Sequence, residues 1–305
     1  MRIDPHLLTP ARKKLESEQL LVPRKPPKAP GSVWFHLHDT PPRTIRARLA
    51  AQLPVYQALQ KEPFKKRLGQ TLEIAILRAL QQQTTFTDFV GSFLDLDKHD
   101  DSRLYSKEEP PRRLGNRDIG GDRRLDFLVR HPTAGWAGIE AKNSREWMYP
   151  DRKEVIELLS KCLALDVVPV LIARRIQFST FVVLNTCGVI FHQTYNQLFP
   201  MADAALADQA KHKSNLGYHD IRTGNMPDAR LIEFVSNHLP AVLPEHRKKF
   251  DQYRDLLETF ADGSMEYREF AARVRRRKNG VDEDSDFGDI EPDLDPNDEP
   301  GDEEL

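Results

Sequence analysis

Cysteine is nearly absent from this chain: 305 residues contain two, Cys162 and Cys187. Two thiols without metal-ligand spacing make neither a disulfide framework nor a cysteine-bound metal. One falls in a helical apolar pattern and the other in a strand-like one, where a thiol serves as a small core residue in a reducing compartment. Long apolar runs are also missing. With 39% hydrophobic and 30% charged residues, no stretch approaches the roughly 20 apolar residues of a membrane span. The amino-terminal stretch lacks the apolar core of a signal peptide, so a cytoplasmic location is expected. Positive charge is absent from one end: Asp282 to Leu305 hold 13 Asp or Glu and no Lys or Arg.

That tail hides a basic remainder. The net charge of −2 becomes +11 over residues 1–281, where 45 basic side chains face 34 acidic ones. A folded part of this sign suits a phosphate backbone as partner. Composition divides the chain into a basic, proline-rich arm (1–40), a main domain (41–200), a helical region (201–279) and an acidic tail (280–305) expected to be disordered. In the arm, Arg12, Lys13, Lys14, Arg24, Lys25 and Lys28 are either a solvated tail or contacts to nucleic acid.

Within the main domain, Thr44 to Gln60 reads as a helix that Pro54 should kink or divide. Phe64 to Gln82 carries the clearest helical stripe, with Leu68, Leu72, Ala75 and Ile76 on one face. Glu73 sits beside that face, and a carboxylate there needs a partner or a purpose. Phe86 to Leu96 can form a first strand. Asp97 to Gly121 reads as a polar loop. Leu125, Phe127 and Val129 then alternate with Asp126, Leu128 and Arg130, the pattern of a half-buried strand. His131 to Gly135 supplies a turn, and a second extended run ends in Glu140-Ala141-Lys142. Side chains two apart on a strand share a face, so Glu140 and Lys142 project together. A hairpin would bring Asp126 across from them. Two carboxylates can hold a hard divalent cation that keeps waters for phosphate oxygens, and a neighbouring ammonium can orient water and offset charge in phosphodiester cleavage.

A helical pattern over Asp151 to Leu165 and the wholly apolar Val167 to Ala173 follow. Next come a short helix from Gln177 and a strand at Gly188 to Phe191. This is the strand–helix–strand rhythm of a mixed sheet flanked by helices, an α/β architecture. Beyond Met201 helices are expected over Ala229 to Leu239, Lys248 to Phe260 and from a Ser264 cap to Arg276.

Asp126 followed fourteen residues later by Glu140-Ala141-Lys142, with Glu73 on the preceding helix, resembles the PD-(D/E)XK, or restriction-endonuclease-like, nuclease superfamily over roughly Phe64 to Phe199. Leu125 stands where the family name has proline. The resemblance implies an αβββαβ core. It also implies Mg2+ (Mn2+ substituting) held by Asp126, Glu140 and the Ala141 carbonyl, Lys142 as the catalytic ammonium, and Glu73 in support. The implied activity is that of a nuclease, in the first place a DNA endonuclease, in a setting such as defence against foreign DNA, repair or recombination. A ribonuclease on the same core and an inactive nucleic-acid-binding adaptor remain open. Many relatives of this fold act as homodimers, and the charged termini offer surfaces for a protein partner. Arg112, Arg113, Arg117, Arg123, Arg124, Arg174 and Arg175 are candidate phosphate contacts, because guanidinium groups bind phosphate bidentately.

If the acidic tail competes with DNA for the basic surface, removing residues 282–305 should tighten DNA binding at low salt. Equal affinity with and without the tail, measured by fluorescence anisotropy, would reject that role.

Overall fold

A computed structural model of the chain describes residues 5–26, 32–98 and 100–282. In chain order the elements begin with α1 (Pro5–Ser17), β1 (Leu21–Arg24), β2 (Trp34–Leu37), α2 (Pro42–Gln60) and α3 (Glu62–Leu80). Short strands follow: β3 (Asp88–Val90), β4 (Ser92–Phe93), β5 (Lys107–Glu108), β6 (Arg113–Leu114) and β7 (Arg117–Asp118). The centre of the chain holds β8 (Phe127–His131), β9 (Gly135–Lys142), α4 (Lys153–Leu165), β10 (Val168–Ala173), α5 (Phe178–Thr186) and β11 (Ile190–Gln193). Last come β12 (Gln197–Phe199), α6 (Ala204–Lys211), β13 (Ile221–Thr223), α7 (Ala229–Glu233), α8 (Leu239–Gln252), α9 (Arg254–Ala261) and α10 (Tyr267–Lys278).

The fold is mixed α/β around a five-stranded sheet of order β11-β10-β9-β8-β3. The β8–β9 hairpin and the β3–β8 pair are antiparallel, whereas β9, β10 and β11 run parallel. All six residues of β10 are buried, as a central strand covered on both faces requires. One face packs Phe127, Val129, Ile139, Val170 and Ile172 against α3 and Leu239 and Leu243 of α8. The other packs Leu128 and Leu171 against α4, α5, α9 and α10. Helices expected as an appendage beyond residue 201 therefore share the core of the sheet. The crossing of α4 over β9 is close: a Cβ at Gly138 would lie 2.5 Å from Leu125 Cδ1 and 3.1 Å from Cys162 Sγ.

Several expectations change. Pro54 neither divides nor ends α2, which continues through it and buries Val55 and Leu59 beyond. Tertiary burial of Val55 and Leu59 outweighs the lost hydrogen bond. The arm is not bare tail: β1 and β2 form an antiparallel hairpin, and Trp34 packs edge-on against Tyr56 of α2 at 5.8 Å. Beyond α6 the chain forms β13, paired in parallel with β12. Ser264 caps nothing; α10 starts after Glu266. The acidic stretch 283–305 and Lys28 lie outside the described residues.

Among the described residues no helix is long and apolar enough to cross a membrane. The turn into β11 depends on Gly188, whose φ is +91° and where a Cβ would stand 2.4 Å from the Phe250 nitrogen and 2.5 Å from the His246 carbonyl oxygen. These are backbone atoms of α8 and cannot swing away. Gly188→Ala should cost on the order of 3 kcal/mol. It should lower the midpoint of thermal unfolding by roughly 5–10 °C in a calorimeter. A change under one degree would show that α8 is not seated there.

Candidate active site

The β8–β9 register pairs Phe127 with Ile139, and the Asp126 amide donates to the Ile139 carbonyl at 3.1 Å. The carboxyl-bearing side chains of Asp126 and Glu140 thereby come to one place. Asp126 Oδ2 also accepts the Ala141 amide at 2.8 Å, which ties the loop before β8 to the end of β9. Lys142, two residues after Glu140, donates to Glu140 Oε1 at 2.8 Å. The next residue, Asn143, anchors the end of β9. The Asn143 side chain donates to the Leu68 carbonyl of α3 at 2.6 Å and to the Leu198 carbonyl of β12 at 2.7 Å, and accepts the Leu198 amide at 3.0 Å.

Two further lysines complete the cluster. Lys161 of α4 reaches inward to Glu140 Oε2 at 2.7 Å and to the Arg124 carbonyl at 2.8 Å. Lys107 of β5 places its ammonium 2.7 Å from Asp126 Oδ1 and 2.7 Å from Glu73 Oε2. Glu73, a turn into the buried part of α3, is thus brought to the same site as the other three predicted residues. Sequence patterns pointed to neither lysine. Lys161 left a signal, since it lies three residues after Leu158 and four before Leu165 on the buried stripe of α4, where a lone charge needs a partner. Lys107 left none, because its segment has no periodicity.

Where Lys107 sits is set by two local devices. The Gln70 side chain of α3 donates to the Tyr105 carbonyl and accepts the Tyr105 amide, both at 2.9 Å, which lays residues 105–107 alongside Glu73. On the other side the chain leaves β3 through Gly91, with φ +116°, where a Cβ would stand 2.7 Å from the Asp126 carbonyl oxygen. Only glycine lets β4 and its partner β5 pass so close to Asp126.

Three carboxylates and three ammonium groups are therefore packed together, largely buried. Lys161 and Glu140 are the most enclosed, with side chains 7% and 8% exposed, and Lys142 the most open at 25%. Burial, and then the Asp126 carboxylate, push Glu73 up to about 7 against the pull of Lys107. Burial and Asp126 likewise raise Glu140, opposed by Lys142 and Lys161. Burial disfavours the charged form of Lys142, but Glu140 more than offsets it and holds the ammonium above its ordinary value. Lys107 is raised in the same way by Asp126 and Glu73. At Glu73 and Glu140, burial and the neighbouring carboxylates outweigh the lysines.

Among the described residues, no group of three or more His, Cys, Asp or Glu side chains is arranged to hold a metal ion. The reason is visible in the contacts: Lys107 stands between Glu73 and Asp126. The oxygens of Asp126 and Glu140 still fit a hard cation, since each carboxylate has about four lone-pair sites and the contacts above occupy two on each.

The predicted phosphate-contact arginines are mostly engaged with the protein itself. Arg113 pairs with Asp118 at 2.6 Å, Arg112 donates to the Gly121 carbonyl, and Arg117 pairs with Asp166. Arg123 and Arg124 donate to the Ile119 and Pro110 carbonyls. Arg174 is 6% exposed and clamped by Asp220 and the Ser144 and Arg145 carbonyls, so it braces the loop after Lys142. Arg175 differs. Its guanidinium lies over the Tyr195 ring at 4.6 Å, with Arg230 over the same ring at 4.4 Å. Both sit beyond the carboxyl ends of β10 and β11, the edge at which β9 presents Lys142. In the cationic end of α10, Arg273 pairs with Glu269, Arg277 with Asp255 at 2.6 Å, and Arg276 is buried.

No protein-family model, curated protein or solved structure matches the chain.

The raised Glu73 gives a signed prediction. Its ordinary value is 4.5 and its folded value about 7, so between these the folded state holds the proton more tightly. Stability linked to Glu73 is complete below pH 4.5 and is lost as pH rises through 7. Relative to Glu73→Gln, the wild type should lose about 3 kcal/mol across that window, measured by urea unfolding in a chelator. Parallel stability curves for the two proteins would contradict it.

Proposed function

We propose that this chain is a metal-dependent nuclease that hydrolyses phosphodiester bonds of DNA, built on a restriction-endonuclease-like core. The observation that carries the reading is the meeting of Asp126, Glu140 and Lys142 with Glu73 at one buried, charge-dense site. The order α3, β3, β8, β9, α4, β10 supports it, because it follows the helix–strand–strand–strand–helix–strand core that the sequence resemblance implies. The positive balance of residues 1–281 supports a polyanionic substrate.

Asp126 and Glu140 would hold Mg2+ or Mn2+ together with the Ala141 carbonyl, a set of oxygen donors suited to hard cations. Such an ion supplies Lewis acidity toward a phosphate oxygen and lowers the pKa of a bound water. The Glu140 carboxylate accepts from Lys142 and favours its ammonium form. As an ammonium paired with Glu140, Lys142 would position or activate the attacking water and meet charge developing on the phosphoryl oxygens. Glu73 fixes Lys107 against Asp126, and Lys161 fixes the second oxygen of Glu140. Arg175 and Arg230, held on Tyr195 at the same sheet edge, are the guanidinium groups best placed to take backbone phosphates.

Lys142→Ala should lower Mg2+-dependent cleavage of plasmid DNA by about 100-fold or more while leaving DNA affinity within a few fold. Asp126→Ala should abolish the response of DNA binding to Mg2+. Wild-type cleavage by Lys142→Ala would overturn the role given to that lysine. A matched RNA substrate run in parallel identifies the sugar that the enzyme accepts.

A further inference from the structure

We propose that Lys107 takes the place of a second divalent cation, so that this site binds and uses one metal ion and not two. The inference rests on the nuclease reading above and concerns how many ions that site accepts.

In sites that use two metals, a carboxylate bridges ions about 3.5–4 Å apart. Here the position shared by Glu73 and Asp126 is filled by an ammonium group, 2.7 Å from an oxygen of each. Its other neighbour is the Phe93 ring, 5.9 Å from the nitrogen. Lys107 is built into this place and is not a surface side chain that has folded over it. Phe93 and Lys107 are cross-strand partners in the β4–β5 pair, the Gln70 amide grips Tyr105 from both directions, and Gly91 lets the strand lie against Asp126. Tyr105 is anchored in turn: its hydroxyl donates to Asp101 at 2.5 Å, and Asp101 accepts the Met201 amide and the Asn225 side chain, each at 2.9 Å. The backbone that carries Lys107 is thereby fixed beside Glu73 and Asp126.

Charge leads to the same conclusion. Glu73, Asp126 and Glu140 are matched by Lys107, Lys142 and Lys161. One divalent ion added to this balanced set leaves two positive charges to meet the phosphate. A second would have to share Glu73 and Asp126 with an ammonium already in contact with both, at like-charge cost in a low-dielectric site. Lys107 thus supplies a fixed single charge on the Glu73 side, while the exchangeable ion lies between Asp126 and Glu140.

The test is a count of Mn2+ bound by the full chain after chelator treatment, read by the electron paramagnetic resonance signal of free Mn2+. Ions are counted as sites lost in Asp126→Ala, which subtracts weak binding by the acidic stretch from Asp282. The wild type should hold one, Lys107→Arg one, and Lys107→Met two, with Mn2+ raising the unfolding midpoint of Lys107→Met more than that of the wild type. Two ions in the wild type would overturn the proposal, and that count stands even if Lys107→Met fails to fold. One ion in a folded Lys107→Met, with the wild type binding one and cutting DNA, would overturn this inference alone. No bound ion and no cleavage by the wild type would remove the nuclease reading together with it.

Discussion

Opposite charges forced together out of water are the constraint on which the rest of this structure depends. A buried carboxylate or ammonium is costly alone, and removing one partner of such a pair typically costs about 3–5 kcal/mol. Glu140 meets that demand with two lysines, and Asp126 meets it with Lys107 and a backbone amide. Each partner arrives on a different element: α3 brings Glu73, β5 brings Lys107, the β8–β9 hairpin brings Asp126, Glu140 and Lys142, and α4 brings Lys161. The sheet and its two helical layers hold these elements at the required spacing. Where the backbone must come closest, the chain has glycine: Gly138 under α4, and Gly91 beside Asp126.

The arrangement also explains its own electrostatics. Glu73 and Glu140 are raised because burial and mutual repulsion outweigh the lysines. Lys107 and Lys142 are held above their ordinary values by the same carboxylates. On the proposed reading, a divalent ion would add the positive charge that meets the phosphate.

Much of the centre was legible in the sequence. The alternation from Leu125 to Val129 with a Pro- and Gly-containing turn marked the hairpin, and the apolar run to Ala173 marked a doubly covered strand. The shared face of Glu140 and Lys142 followed from the period of two. What was not legible came from tertiary contact. Lys107 lies in a segment whose place is set by Gln70, thirty-five residues earlier. Pro54 looked like a break because propensity speaks only for the isolated helix, whereas burial of Val55 and Leu59 carries α2 through it. The arginines of 112–124 looked free for phosphate because charge alone does not reveal that Asp118, Asp166 and nearby carbonyls already bind most of them.

The most direct measurement is incubation of the purified full-length wild-type protein with supercoiled plasmid in Mg2+ and, separately, in a chelator. The account predicts conversion to nicked or linear DNA with Mg2+ and intact supercoils without it. Plasmid left untouched in Mg2+ and in Mn2+, or cut equally well in the chelator, would contradict it.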